Sequence, residues 1–329
     1  MGVSREDARI VSDCLFLASL RGVDSHGVIR LPSYVKAIRN RQIDTAGTIK
    51  VVRENANVAV VDGGMRLGPV VALTATRLAI EKAKATGIGV ACARHLSHIG
   101  MLAYYGLQIL RNGMVGIAMT SASPNMAPWG GAQKLLGTNP ICFAFPVDSK
   151  REIVLDMATT VTSYHRLKIA AMKGEKVPDG WAVDKKGKPT NDPREGMEGF
   201  LLPVGGYKGY GLALSIEILS SLLSGSAYSN LIKSTAAPQG GFFVQAMDIS
   251  VFRRTEEFWS DARDLVNRIE HCPILEGTKE ILLPGEQEAR EQQRRSQDGI
   301  PIDQETWSDF EALSRELSVR LPTLLAVQP

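Results

Sequence analysis

The chain is poor in cysteine and in aromatic residues, and it carries almost no net charge. Its four cysteines (Cys14, Cys92, Cys142 and Cys272) are scattered among 329 residues with no Cys-x-x-Cys spacing. That argues against a disulfide framework and against a thiolate metal cluster. Cys92 and Cys142 fall in apolar runs that read as buried strands, so reduced core thiols in a cytoplasmic protein are expected. The formal charge is +3, and no basic run is interleaved with aromatics, which argues against nucleic acid as a partner. No stretch approaches the ~18 consecutive apolar residues of a membrane span. The opening MGVSREDARIVSD is charged rather than signal-like. Also missing is Gly-x-Gly-x-x-Gly between a strand and a helix. The nearest run, Gly87-Ile88-Gly89, has Cys92 at the third glycine position and leads from a helix into a strand. A standard Rossmann site is therefore not expected.

What is present is an ordinary globular composition, 44% apolar and 22% charged, in a chain long enough for one large core or two modest ones. Ser4 followed by Asp7 marks a helix start, and Ile10, Val11, Cys14, Leu15 and Ala18 recur at helical spacing as far as Gly22. A strand is predicted over 57–63. A helix enters at Pro69 and stops at Gly87. A short strand over 89–93 and a helix over 101–111 follow. Residues 114–120, 141–146 and 153–159 are continuous apolar runs, as in strands covered on both faces. Residues 179–206 are turn-rich and polar, and read as an exposed excursion. A strong helix is predicted over 211–223, and 286–295 reads as a solvated helical face. There is no clean βαβ rhythm and no repeat. The fold class is α/β (α+β), a mixed β-sheet with helices around it.

Residues 21–31, RGVDSHGVIRL, place a hydroxyl (Ser25), an imidazole (His26) and a guanidinium (Arg30) within six positions. A hydroxyl-supported imidazole can move a proton near neutral pH, and an arginine can clamp a carboxylate through two parallel hydrogen bonds. The glycine-rich run VGGYKGYG (204–211) could present backbone N–H groups and the Lys208 ammonium to an anion, or serve only as a turn. His95 and His98 stand three apart but lack a third ligand at a recognisable spacing, so no metal is expected. Asp156 lies inside an apolar strand, where a carboxylate is costly unless something binds it. An ion pair or a ribose or cofactor amide would serve. Thr138 and Asn139 are ordinary turn residues on their own.

In order, the motifs RGVDSHGVIRLPSYV, SHIG, APWGG, LLGTNP, VLDMAT, GEKVPDGW, GGYKGYGLAL and LLPGE give a chain that resembles, over residues 4–302, the malate/L-lactate dehydrogenase family outside the Rossmann group. The resemblance implies that Ser25 and His26 are a catalytic pair, with His98 as a second candidate for the acid–base role. It implies that Arg30 pairs with a substrate carboxylate and that Thr138 lies near the substrate. Ala122, Asp156, Met157, Ala158, Tyr207, Lys208, Leu282, Pro284, Gly285 and Glu286 are implied contacts of NAD or NADP. An N-terminal helical part (1–50) packing with a C-terminal one (286–329), beside a mixed-sheet cofactor domain (51–285), is implied, as is a homodimer. The implied reaction is hydride transfer between a nicotinamide and C2 of a small 2-hydroxy or 2-oxo acid. Two departures stand out. Tyr164, His165 and Arg166 occupy positions where the family reads Arg-Gly-Lys, and 228–239 is shorter than usual. A rival reading is a relative that kept the nucleotide cleft but lost turnover through the first departure.

Overall fold

The computed structural model describes residues 1–232, 237 and 240–323. Residues 233–236 and 238–239 of the shortened stretch lie outside them. The first helix, α1 (Arg5–Leu20), starts where expected: Ser4 Oγ accepts the Asp7 backbone N–H at 3.0 Å. Ile10, Val11, Cys14, Leu15 and Ala18 face inward together. Two 3-10 turns, Asp24–His26 and Val28–Arg30, then lead into α2 (Leu31–Arg39).

Seven strands form one sheet. β1 (Lys50–Glu54) pairs antiparallel with β2 (Val58–Arg66), and β2 runs parallel to β3 (Ile88–Leu96). The crossover between β2 and β3 is α3 (Gly68–Thr86), which stops at Gly87 in a positive-φ conformation (88°). Helix α4 (Ala103–Leu110) follows, then β4 (Val115–Thr120), β5 (Ile141–Pro146) and β6 (Glu152–Met157), antiparallel in turn. The sheet is therefore mixed, as expected, and it is open.

Helices α1, α3 and α4 share one large core with one face of the sheet. The expectation of strands covered on both faces is corrected toward the far edge, where Phe145 of β5 remains 36% exposed and the edge strand β6 has only Val154 buried. Antiparallel strands at a sheet edge tolerate one open face.

Three further elements depart from expectation. The 179–206 excursion is a small folded layer: β7 (Ala182–Val183) lies between β8 (Pro189–Thr190) and β9 (Phe200–Leu201). It packs on α5 (Tyr164–Lys173) and α6 (Pro193–Glu198) around Leu167, Ala182 and Leu201. Its apolar residues are spaced too irregularly to reveal that core. Helix α7 (Tyr207–Glu217) begins within GGYKG, four residues before the predicted start, and passes into a π-helical turn over Ile218–Leu222. Gly205 and Gly206 serve the turn, with φ of 60° and 67°, whereas Gly209 is required by space: a Cβ there would meet Thr159 O at 2.8 Å. The seventh and last strand of the large sheet, which lies at its centre, is not predicted from the sequence. It is β10 (Phe242–Met247), inserted between β3 and β4 and antiparallel to both.

After α8 (Thr255–Glu270), the chain ends in α9 (Glu286–Asp298) and α10 (Gln304–Leu317). Helix α9 lies against α1, and α10 is tied to α2 by the Arg39–Glu316 ion pair at 2.5 Å. Among the described residues no helix is long and apolar enough to cross a membrane.

Candidate active site

The turns between α1 and α2 place the first cluster. Gly27 sits against Ser19 so closely that any Cβ would collide with that hydroxyl, and Ser19 Oγ accepts the Val28 N–H at 3.0 Å. This close approach requires glycine and sets the path of the loop. Ser25 Oγ lies 2.9 Å from His26 Nδ1. Arg30 folds back so that its Nε donates to the Ser25 carbonyl at 2.6 Å. Its remaining guanidinium N–H groups meet no carboxylate among the described residues. A half-buried cation with no counter-ion is costly, and burial lowers its pKa accordingly.

His98 comes to the same place from the loop after β3. Its ring stacks on that of His26 with centroids 5.4 Å apart. Gly100 holds φ at 77°, and its backbone N–H donates to His98 Nδ1 at 3.2 Å. A side chain on Gly100 would meet Cys14 Sγ at 2.6 Å. The Tyr34 hydroxyl, from α2, lies 2.9 Å from the same Nδ1 and 3.0 Å from the His98 carbonyl. A backbone N–H can only donate, so Nδ1 is an acceptor and the ring's proton is assigned to Nε2. Burial, helped by the Arg30 and His165 charges, pushes the His26 imidazole down to about 3. Burial, Arg30 and His26 likewise hold His98 well below its usual value. Both rings are neutral at pH 7.

The end of β6 links this cluster to a second one. The Asp156 carboxylate accepts the Ala103 N–H at the start of α4, five residues beyond His98, at 2.7 Å. It is open to solvent yet surrounded by protein, and withdrawal from bulk water pushes it up to about 6, against that hydrogen bond and the Arg21 charge. Among the described residues no ion pair neutralises it. Met157 and Ala158 follow, and Thr159 then donates to the Thr138 carbonyl from its N–H (2.9 Å) and hydroxyl (3.0 Å). Val204 N–H donates to Thr159 O at 2.9 Å, bringing the GGYKG turn alongside. Tyr207 and Lys208 are exposed on the first turn of α7, and Lys208 makes no ion pair among the described residues. Leu282, Pro284, Gly285 and Glu286 run along the free edge of β6, where Pro284 O accepts the Val154 N–H at 3.0 Å.

Several residues that hold these pieces were not singled out from the sequence as site residues. Asn139 is fully buried. Its Oδ1 accepts the Ala122 N–H at 3.0 Å, and its Nδ2 donates to Ala213 O at 2.9 Å and to Glu217 Oε2 at 2.5 Å. It therefore fixes the Ala122 and Thr138 loops against α7, far more than a turn residue does. Its φ of 26°, unusual outside glycine and most tolerable for Asn, was the available signal only in retrospect. Tyr34 has no role legible in the motif RGVDSHGVIRLPSYV that contains it. His165, at the start of α5, is close enough for its charge to act on His26 and for Arg30 to depress its own pKa, so the Tyr164-His165-Arg166 departure faces the first cluster. His95 is not part of it: its Nδ1 is 3.0 Å from the Asp62 carboxylate. Among the described residues no group of three His, Cys, Asp or Glu side chains could hold a metal.

The chain is similar to known proteins over nearly its whole length. The model of the malate/L-lactate dehydrogenase family matches residues 1–311. An L-sulfolactate dehydrogenase of Methanocaldococcus jannaschii is 41% identical, the alignment covering 97% of this chain and 93% of the relative. A malate dehydrogenase of Pyrococcus abyssi is 38% identical over 97% and 91% of the two chains. The crystal structure of malate dehydrogenase from Entamoeba histolytica superposes with a TM-score of 0.94 at 32% identity, covering 98% of this chain and 94% of that one. The chain belongs to the malate/L-lactate dehydrogenase family of 2-hydroxyacid dehydrogenases.

Proposed function

We propose that the enzyme oxidises a small 2-hydroxy acid, or reduces the matching 2-oxo acid, in the pocket between His26, His98 and Arg30. The observation that carries this is the half-buried Arg30 guanidinium, unpaired beside two neutral imidazoles. It needs an anion, and a substrate carboxylate accepts two of its N–H groups in parallel. The substrate oxygen then lies against the histidines. They divide the work according to their tautomers. Ser25 Oγ can accept from Nδ1 of His26, which leaves Nε2 as a base for the hydroxyl proton and returns that proton during reduction. Gly100 fixes His98 with its proton on Nε2, so His98 donates a hydrogen bond to the same oxygen.

The second cluster fits a nicotinamide dinucleotide. The unpaired Lys208 at the start of α7 suits a phosphate, and Tyr207 offers an exposed ring. Ala122, Met157 and Ala158 are half-buried along the cleft, Asp156 offers a carboxylate to a ribose or amide, and Leu282, Pro284, Gly285 and Glu286 border it. When bound, the group supplies the hydride acceptor or donor. The chain's own residues orient the acid and manage its proton. Whether NAD or NADP is used depends on this cluster, and NAD is the proposed partner: a relative is named as an NAD(+)-dependent ureidoglycolate dehydrogenase, 30% identical. The four cysteines remain free thiols, which supports a cytoplasmic setting. The outer face of α7 and of the π-helical turn after it carries Leu214, Ile218 and Leu222 beside Tyr228, an apolar surface that suits a homodimer.

The test is an absorbance assay with NAD and NADP against malate, lactate and sulfolactate, and in reverse against their oxo acids. Turnover on at least one pair supports the proposal. Binding of NADH without turnover on any of them would establish the impaired-relative reading instead.

A further inference from the structure

We infer that Arg295, on α9, is a positioning residue that holds the Ser25–His26 loop in register with the cofactor segment. The inference rests on the reaction proposed above. No residue in the two turns over 24–26 and 28–30 is fully buried, and of their apolar side chains Val28 alone packs against the large core, leaving the 24–26 turn without an apolar anchor of its own. What fixes their start is a fork. Arg295 Nη1 and Nη2 donate to the two carboxylate oxygens of Asp24, at 2.5 and 3.0 Å, and Nη1 also donates to Ser19 O at 2.6 Å. Arg295 itself is only 8% exposed, and Glu291 accepts its Nε at 2.5 Å, which aligns the fork. Such bidentate geometry fixes direction as well as distance. Asp24 is the residue before Ser25.

The other end of the same helix grips the opposite side of the site. Helix α9 starts at Gly285–Glu286, directly after Pro284 pairs with β6, and a Cβ on Gly285 would meet Val154 O at 2.6 Å. Midway, Gln292 Oε1 accepts an Arg21 N–H at 3.2 Å. One rigid helix therefore sets the separation between the segment over 282–286 and the imidazole that must meet the substrate oxygen. Hydride and proton transfer need reacting atoms about 3–3.5 Å apart, and a misplacement of about 1 Å costs ~10²-fold.

Asp24→Asn, Arg295→Gln, Arg295→Lys and the Asp24→Asn/Arg295→Gln pair would be assayed for kcat, KM and NADH affinity by fluorescence. Expected are a kcat loss of roughly 10–100-fold in either of the first two, NADH affinity within about twofold of wild type, partial recovery in Arg295→Lys, and no further loss in the pair. The pH profile should also move, His26 regaining a value nearer 6.5 as the loop leaves its setting. Unchanged kcat in Asp24→Asn, or losses that multiply in the pair, would overturn the inference. If wild type turns over none of the acids, the proposed function fails, and the clamp is then judged by amide hydrogen exchange of residues 24–30. Faster exchange in both single variants upholds it; unchanged exchange removes it.

Discussion

The pH dependence of the two reaction directions follows from the His26 environment. With the free-enzyme imidazole pushed down to about 3, the ring is a neutral base throughout the range from pH 5 to 8.5. The kcat/KM for hydroxy-acid oxidation, which reports free-enzyme groups, should then show no histidine inflection there. An ordinary imidazole near 6.5 would be only about 3% neutral at pH 5, a loss of roughly 30-fold. In reduction the imidazolium is needed, so kcat/KM should fall about tenfold per pH unit across the same range. A bound carboxylate on Arg30 offsets the charge that helps depress the ring. The pKa seen in kcat should therefore lie above that seen in kcat/KM. Initial rates with malate and NAD, and with oxaloacetate and NADH, would measure both slopes. A sigmoid centred near 6.5 in the oxidation direction that disappears in His26→Ala would refute the reasoning. The same shifts act on stability. His26 and His98 are lowered in the folded state, so the unfolded chain binds more protons below about 6.5. Stability is intact above that pH and falls as pH drops, by up to ~1.4 kcal/mol per unit for each ring.

Two further perturbations probe the surroundings. Asn139→Ala leaves the Ala122 N–H, the Ala213 carbonyl and the buried Glu217 carboxylate without this partner, at about 1–3 kcal/mol for each group left unsatisfied. Glu217 keeps the Ser229 N–H, so a loss of roughly 2–6 kcal/mol in urea unfolding is expected from the other two groups, and a loss below about 1 kcal/mol would show that the hub does not hold the loops. His165→Gly should change KM for the acids, and their rank order, while NADH affinity stays within about twofold; equal effects on both would remove His165 from the substrate side.

Much of the fold was legible because local rules agree with the tertiary structure. Ser4, Pro69 and Gly87 bound their helices where capping chemistry puts them, and the runs at 114–120 and 141–146 are strands. The central β10 was missed although FFVQAM is apolar and aromatic, because nothing local says that it inserts between strands laid down over a hundred residues earlier. The site divides the same way. Ser25, His26 and Arg30 are near neighbours in the chain and hydrogen-bond to one another, so their motif reveals them. Tyr34 meets His98 across 64 residues, Asn139 meets Glu217 across 78, and Arg295 reaches Asp24 across 271. Partners at such separations are set by packing, and a single sequence carries no trace of who meets whom.

The pairing of Arg30 with a substrate carboxylate is tested most directly by Arg30→Met. Removing one member of a partly buried charge pair costs about 3 kcal/mol, or ~10²-fold. The account predicts that kcat/KM for the preferred 2-hydroxy acid falls by about that factor while NADH binds as before. An acid turned over equally well by Arg30→Met and wild type would contradict it.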